Sequence, residues 1–318
     1  MIRAGVIGRG IAGGLFHAPF IRAVEGMELA AVAGRDEAAA VIADRSIDLV
    51  VIATPNTTHF PLAEAALEAG KHVVIDKPFA LSVAEGDALI ALAAAKGRLL
   101  SVFHNRRWDG DFLSVQEVIG SGRLGEVLLF EAYWDRFRPA IKQGWREQPG
   151  PGAGLLWDLG PHLIDQALVL FGVPDAVTAD VAVQREAALV DDYFLLTLHY
   201  GRMRALLGAS TVTADPRRRF GVSGTLGGYS RRGLDTQEAA LRAGLGPESE
   251  GFGAEEFLGT ITTGSGERIS VPGRSGRWLT FYERMRDAIR GLGPVPVDPA
   301  DARAGLLILE AAKLPPHR

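Results

Sequence analysis

The stretch Ile2–Gly14, IRAGVIGRGIAGG, constrains the fold more than any other part of this chain. It sets Gly8, Gly10 and Gly13 at G-x-G-x-x-G spacing directly behind a short apolar, strand-like run. Gly8 permits a tight strand-to-helix turn, and Gly10 lets the backbone come within contact distance of a pyrophosphate. Gly13 lets the following helix lie close on a sheet, and the free N–H groups at the helix start attract phosphate charge. A glycine-rich turn alone is a weak sign. This one sits between a strand pattern and a helix pattern, which is the context in which it binds a dinucleotide.

The bulk properties narrow the class. A chain of 318 residues has room for two domains. Hydrophobic residues make up 47% and charged residues 23%, as in ordinary folded soluble proteins. The 34 basic and 38 acidic side chains give a net charge of −4, which argues against a nucleic-acid partner. The chain contains no cysteine, so disulfides, cysteine-ligated zinc and thiolate catalysis are excluded. The start MIRAGVIGRG lacks the flanks of a signal peptide. No apolar run approaches the roughly 18 residues of a membrane span, so the expectation is a cytoplasmic protein with no membrane partner.

The first third alternates short apolar runs with helical patterns, the mark of parallel strands joined by helices. Ala4–Ile7, Leu29–Ala33, Leu49–Ala53, His72–Ile75 and Leu99–Phe103 read as strands, several of them continuous, as in a sheet covered on both faces. Residues 62–69 and 83–95 read as helices. Only the ten residues EAAAVIADRS lie between Asp36 and Ile47. They can hold one short helix but no further strand with its connection. The sequence therefore predicts a parallel sheet trimmed at one edge.

Past residue 118 the pattern changes. Glu126–Trp134, Ala176–Gln184, Tyr193–Tyr200 and Met203–Leu207 read as strands with turns between them, and residues 154–171 and 279–291 as helices. The glycine-rich segment 224–253 reads as irregular. The predicted class is α/β plus α+β: a dinucleotide-binding Rossmann domain over 1–118, and a mostly antiparallel substrate-binding and oligomerisation domain over 119–318. A sheet with one face covered leaves the other to be buried by association, so a homodimer or homotetramer is expected.

Three groups of residues carry candidate chemistry. Thr54, Pro55 and Asn56 follow the LVVIA strand, at the carboxyl end where open parallel sheets bind ligands. Asp76, Lys77 and Pro78 follow the HVVI strand in the equivalent place. Pro78 keeps Lys77 out of helical geometry, extended at the strand end. The third group is Asp158, His162 and Asp165. Asp158 and His162 share a helix face at i, i+4, and a carboxylate near an imidazole orients it and raises its basicity. Pro161 is tolerated best near a helix start, which makes Asp158 a candidate cap. A buried structural histidine and a metal site are the rival readings of this group.

Taken together these segments resemble the Gfo/Idh/MocA family of NAD(P)-dependent oxidoreductases. The resemblance is carried by GRGIAGGLFHAPFI, ATPNTTHFPLAEAALEAGKHVVIDKP, SVFHNRRWDGDF and GWREQPGPGAGLLWDLGPHLIDQALVLFG, and so runs through nearly the whole chain. The similarity is greatest to the bacterial branch that includes NADP-dependent scyllo-inositol dehydrogenases. It implies that Lys77 matches the lysine of the family's E-K-P motif, with Asp76 in place of glutamate, and that Asp158 and His162 match the other two catalytic positions. The implied cofactor set is Gly8, Gly10, Ile11, Ala12, Gly13, Arg35, Thr54, Pro55, Asn56, His59, Asp76, Lys77, Asn105, Trp145 and Arg146, with no metal.

An acid at the end of the second strand would accept bonds from the ribose of NAD. Here that strand ends Ala33-Gly34-Arg35-Asp36. Arg35 offers a charge-assisted clamp for a 2′-phosphate, which favours NADP, while Asp36 keeps NAD as the alternative. The family has a longer stretch after these residues, with a further helix and strand. His17 reads as structural or a minor cofactor contact. Among Asn105, Arg106 and Arg107, one is expected to touch substrate or cofactor and the others to pair structurally. Trp145-Arg146 resembles a family segment that approaches the cofactor, and Phe137, Arg138, Trp145 and the glycine-rich region after Gly224 are candidate substrate selectors.

The expected activity is hydride transfer between nicotinamide and a hydroxyl or ketone carbon of a cyclic polyol or sugar. The competing functions are a non-catalytic NAD(P)-sensing regulator and an NAD-dependent redox-assisted glycosidase. Retention of Lys77, Asp158 and His162 together favours catalysis.

Overall fold

The computed structural model describes residues 1–255 and 257–313. They form two compact units. The first takes Met1–Asn105, Gln237–Gly253 and Arg277–Leu306, and the second takes Arg106–Thr236, Ala254–Gly276 and the chain from Leu307. A single cut at residue 118 therefore does not describe the partition, because the chain leaves the first unit after Asn105 and returns to it twice.

The first unit holds a parallel sheet of β1 (Ile2–Ile7), β2 (Met27–Ala33), β3 (Leu49–Ile52), β4 (His72–Asp76) and β5 (Leu100–Phe103), in the order β2-β1-β3-β4-β5. Ala4, Val6, Ile7, Leu49–Ile52 and Val73–Ile75 are completely buried, which explains why these strands read as unbroken apolar runs. Four short helices connect them: α1 (Ala18–Ala23), α2 (Ala38–Ala43), α3 (His59–Glu68) and α4 (Val83–Lys96). Ser82 caps α4 by accepting from the Glu85 N–H, and Gly97 closes it in the left-handed conformation.

The missing strand is confirmed, since β2 ends the sheet next to β1. The shortened connection is closed compactly. Helix α2 lies directly over β1, where Val41 and Ile47 fill the space above Gly5. The buried Lys71 ammonium donates to the Asp44 carbonyl at 2.6 Å and the Ile47 carbonyl at 2.8 Å. Asp44 accepts from Ser46, and Asp48 accepts from the Arg3 N–H at 2.8 Å. These bonds tie the short loop to β1 and to the residue before β4.

The second unit holds α5 (Gly110–Gly120), β6 (Val127–Tyr133), α6 (Leu155–Phe171), β7 (Ala176–Ala182), β8 (Tyr193–Tyr200), β9 (Met203–Ser210), β10 (Phe220–Gly224) and β11 (Gly227–Arg231). The chain returns to the first unit for α7 (Gln237–Arg242), forms β12 (Gly259–Thr263) and β13 (Arg268–Val271) in the second, and goes back to the first for α8 (Leu279–Ile289), with α9 (Pro299–Lys313) divided between the two. The eight strands run β13-β12-β11-β10-β6-β9-β8-β7, antiparallel throughout except for the β6–β9 pair. Along β8, Phe194, Leu196 and Leu198 are buried and their neighbours half-exposed, the alternation of a sheet covered on one face. The segment 224–253 is not wholly irregular, since it supplies β11 and α7. No helix among the described residues is long and apolar enough to cross a membrane.

Candidate functional site

Strand register places the candidate residues of the first unit on one rim. Ile7 lies opposite Ala33 and Ile52, Ile52 opposite Ile75, and Ile75 opposite Val102. The segments that leave these strands, Gly8–Gly13, Gly34–Glu37, Thr54–Asn56, Asp76–Lys77 and His104–Asn105, therefore all emerge at the carboxyl edge. Chain order reverses between β1 and β3, which is where open α/β sheets bind ligands.

The glycine turn is built for close approach. Gly8 has φ +134°, and a Cβ there would lie 2.2 Å from the Ala53 carbonyl oxygen. A Cβ on Gly13 would lie 1.8 Å from the Gly8 oxygen. A Cβ on Gly10 would meet nothing within 4 Å, so open space lies over this residue. Ile11 is exposed, and the chain is helical from Ala12, opening as a π-helix to His17 before α1. Pro19, which has no N–H to donate, follows that wide turn. Backbone crowded on the sheet side and bare on the outer side at Gly10 fits a dinucleotide pyrophosphate.

The loops after β3 and β4 are tied to each other. His59, buried as the first residue of α3, places Nδ1 2.8 Å from the Pro78 oxygen and Nε2 3.0 Å from the Thr54 oxygen. Both ring nitrogens face backbone carbonyls, so His59 positions these loops rather than presenting a nitrogen to a nucleotide. Burial pulls its pKa below the ordinary value, against the pull of both carbonyls and of Asp76. The Asp76 carboxylate accepts from the Lys77 N–H at 2.8 Å, and the half-buried Lys77 precedes a cis bond to Pro78. Asn56 is buried, Thr54 is half-buried and Pro55 exposed.

His17 is structural. It is fully buried, its Nδ1 shares a 2.6 Å hydrogen bond with the Tyr282 hydroxyl, and its ring centroid is 4.2 Å from that of Phe103. Burial drives its pKa down from 6.5 to about 4, so the ring is neutral at pH 7. A folded-state pKa below the unfolded one means the unfolded chain binds the extra proton first. The stability this neutral ring represents is complete above pH 6.5 and lost as the pH falls toward 4, a change on the order of 3 kcal/mol. Denaturant titrations of wild type and His17→Gln should show a shallower loss between pH 6.5 and 4 in the variant. Parallel curves would refute this origin of acid sensitivity.

In the second unit the candidate residues lie on α6. The helix starts at Leu155 because Asp191 caps it, its carbonyl accepting from the Leu155 N–H at 2.9 Å and its carboxylate from the Leu156 N–H at 2.7 Å. Asp158 is therefore not the cap, contrary to expectation. It lies in the first turn, with Pro161 inside the helix and His162 in the second turn. Asp158, His162, Asp165 and Gln166 fall at i, i+4, i+7 and i+8 and share one face.

Arginines gather along that face. Asp158 pairs with Arg146 at 3.3 Å and with Arg136 at 3.8 Å. Arg107 holds Asp165 in a two-pronged bond, Nη2 to Oδ1 at 2.7 Å and Nε to Oδ2 at 2.9 Å. Gln166 accepts from Arg219, which is buried against Asp111. The buried His162 ring lies 5.9 Å from Trp134, tilted 33° to it. Trp134 in turn faces Arg106, Arg136 and Arg219 within 5.5 Å. Arg107 is thus a structural pair, as expected for two of the three residues 105–107, and Asn105 is buried. Asp165 is committed to Arg107, and among the described residues no group of three His, Cys, Asp or Glu side chains is placed to hold a metal. Trp145 stacks with Arg146, whose guanidinium carbon is 4.6 Å from the ring centroid.

At the end of β2, Arg35 and Asp36 are exposed, and Arg35 has no carboxylate partner among the described residues. Two further residues belong here. Arg9, the middle residue of the G-R-G turn, pairs with Glu37 at 2.6 Å, and the Glu37 carboxylate accepts from the Gly34 N–H at 2.8 Å. The signal for Arg9 was its place inside the glycine turn, and for Glu37 its place one residue past Asp36.

Comparison with known proteins agrees with this fold. Residues 36–104 match the oxidoreductase family's NAD-binding Rossmann fold, and residues 112–230 match the GFO/IDH/MocA C-terminal domain. The chain is 43% identical to the uncharacterised oxidoreductase YdgJ of Escherichia coli, over 97% of this chain and 94% of that protein. It is 38% identical to the NADP-dependent scyllo-inositol 2-dehydrogenase IolW of Bacillus subtilis, over 98% and 92%. The crystal structure of an oxidoreductase from Bacillus cereus, 30% identical, superposes with a TM-score of 0.89 over 99% of this chain and 97% of that one. With a five-stranded dinucleotide-type sheet, an antiparallel second sheet and these relatives spanning its length, the chain belongs to the Gfo/Idh/MocA family of oxidoreductases.

Proposed function

We propose that this oxidoreductase transfers a hydride between the nicotinamide of NADP and a secondary alcohol or ketone carbon of a cyclic polyol or sugar. The observation that carries the reading is the shared carboxyl rim of the parallel sheet, where a glycine turn open at Gly10 and the half-buried Lys77 emerge from β1 and β4. The similarity to an NADP-dependent inositol dehydrogenase supports the substrate class, and the exposed Arg35 supports the phosphorylated nucleotide.

A bound nicotinamide supplies the hydride acceptor for oxidation and the donor for reduction. The protein supplies the proton and the charge. Lys77, held extended ahead of Pro78, donates to the substrate oxygen and stabilises the negative charge that develops there. His162 takes the hydroxyl proton as general base; its Nδ1 is buried, so the proton moves at Nε2. Asp158 lies one turn before His162, fixed by Arg136 and Arg146, and offsets the positive charge of the imidazolium.

The test is turnover. Purified protein mixed with NADP and a panel of inositols and aldoses should reduce the nucleotide, read at the NADPH absorbance, with at least one cyclic polyol or sugar. No turnover with any member of the panel, together with reduction of NADP by an acyclic hydroxy acid or simple alcohol, would overturn the substrate class.

A further inference from the structure

The pair Arg9–Glu37 closes over the tip of β2. Gly8 at the end of β1 donates to the Ala33 oxygen at 2.8 Å, which holds the two strand ends together. From the next residue the Arg9 guanidinium reaches across, so that a Cβ on Gly34 would lie 3.5 Å from its Nη1 and 3.7 Å from the Glu37 Oε2. One carboxylate oxygen of Glu37 thus takes the Gly34 N–H and the Arg9 Nη2 together. These are the two donors, one main-chain and one guanidinium, that a phosphate at this strand end would use, with Arg35 as a third. Both side chains are more than half exposed, and an exposed ion pair of this kind is weak and exchangeable.

We propose that the Glu37 carboxylate is a built-in occupant of the adenosine 2′-phosphate site, which NADP must displace and which sets the margin by which the protein prefers NADP to NAD. The inference rests on the dinucleotide reading above and adds a residue to it. A phosphate dianion left facing Glu37 would meet a like charge, whereas the same phosphate with Glu37 turned outward gains Arg9, Arg35 and the Gly34 N–H. A 2′-hydroxyl meets no such conflict. Glu37 therefore penalises the phosphorylated nucleotide selectively, and Arg9 is the group the two anions contend for.

The test is equilibrium binding, independent of turnover. Adenosine 2′,5′-bisphosphate and 5′-AMP are titrated into the full protein by calorimetry at fixed low salt. Glu37→Gln keeps an acceptor for the Gly34 N–H but removes the charge; it should tighten the bisphosphate about tenfold and change 5′-AMP less than about twofold. Arg9→Ala should weaken the bisphosphate about tenfold, and in that background the gain from Glu37→Gln should fall below about threefold, because the contested group is gone. Unchanged bisphosphate affinity in Glu37→Gln, or an undiminished gain in the double variant, overturns the proposal. Weakened 5′-AMP binding in Glu37→Gln also overturns it, by making Glu37 a ribose ligand. Wild-type protein that binds neither probe would refute the dinucleotide reading itself, a failure distinct from these.

Discussion

Lys77→Ala is expected to lower turnover about 10³-fold while leaving the affinity for the nucleotide within about threefold. Lys77 follows a strand whose Val73, Val74 and Ile75 are completely buried, and its main-chain N–H is fixed by the Asp76 carboxylate. Removal of the ammonium group should therefore leave the sheet undisturbed, and on the proposed mechanism it takes away charge where the alkoxide develops. His162→Asn should cost about 10²- to 10⁴-fold, since asparagine cannot take a proton. Steady-state kinetics on the best substrate of the panel, with nucleotide binding measured separately, checks both. Turnover within about threefold of wild type in either variant would show that the assigned group does not act in the chemistry.

The glycine turn gives the second large effect, and its three glycines should behave differently. Gly8→Ala places a Cβ against the Ala53 carbonyl at a φ of +134°, and Gly13→Ala drives one into the Gly8 carbonyl. Both neighbours are backbone and cannot swing away. Each variant should lose about 3 kcal/mol or more of stability, or fail to fold at the growth temperature. Gly10→Ala meets no atom within 4 Å, so its stability should stay within about 1 kcal/mol of wild type. Its methyl group would instead occupy the place of the pyrophosphate and weaken nucleotide binding about tenfold or more. Chemical denaturation and nucleotide titration separate the two classes. A Gly10→Ala protein that binds as tightly as wild type would show that the pyrophosphate does not lie there.

Much of the first unit was legible because its determinants are local. Unbroken apolar runs mark strands buried on both faces, and a count of residues between Asp36 and Ile47 was enough to predict a trimmed sheet. The closure of that short loop was not legible, since it depends on Lys71, a residue that reads as an ordinary surface lysine until the fold brings it under Asp44 and Ile47. Strands such as GGYSR and GTITT carry little apolar alternation, and only pairing with neighbours makes them strands. Among the candidate residues, Lys77 and Asp158-x-x-x-His162 stand out in the sequence by position and spacing. Trp134, Arg136 and Arg219 do not, because they come from the segment that follows β6 and from the residue just before β10. Gln166 was within reach: it extends the polar positions of an otherwise apolar helix to i+8. Pro161 misled only about the cap: the helical pattern already began at residue 154, but the capping group is Asp191, which arrives from the loop before β8.

The sheet stops at β2, so no further strand shields or competes with the turn that follows it. On the proposed function, the side chains that read the far end of the nucleotide, Arg9, Arg35 and Glu37, are exposed ones around Gly34, and none of them supports the core. Such an arrangement lets a lineage trade one redox currency for the other by single substitutions, with the catalytic machinery left untouched.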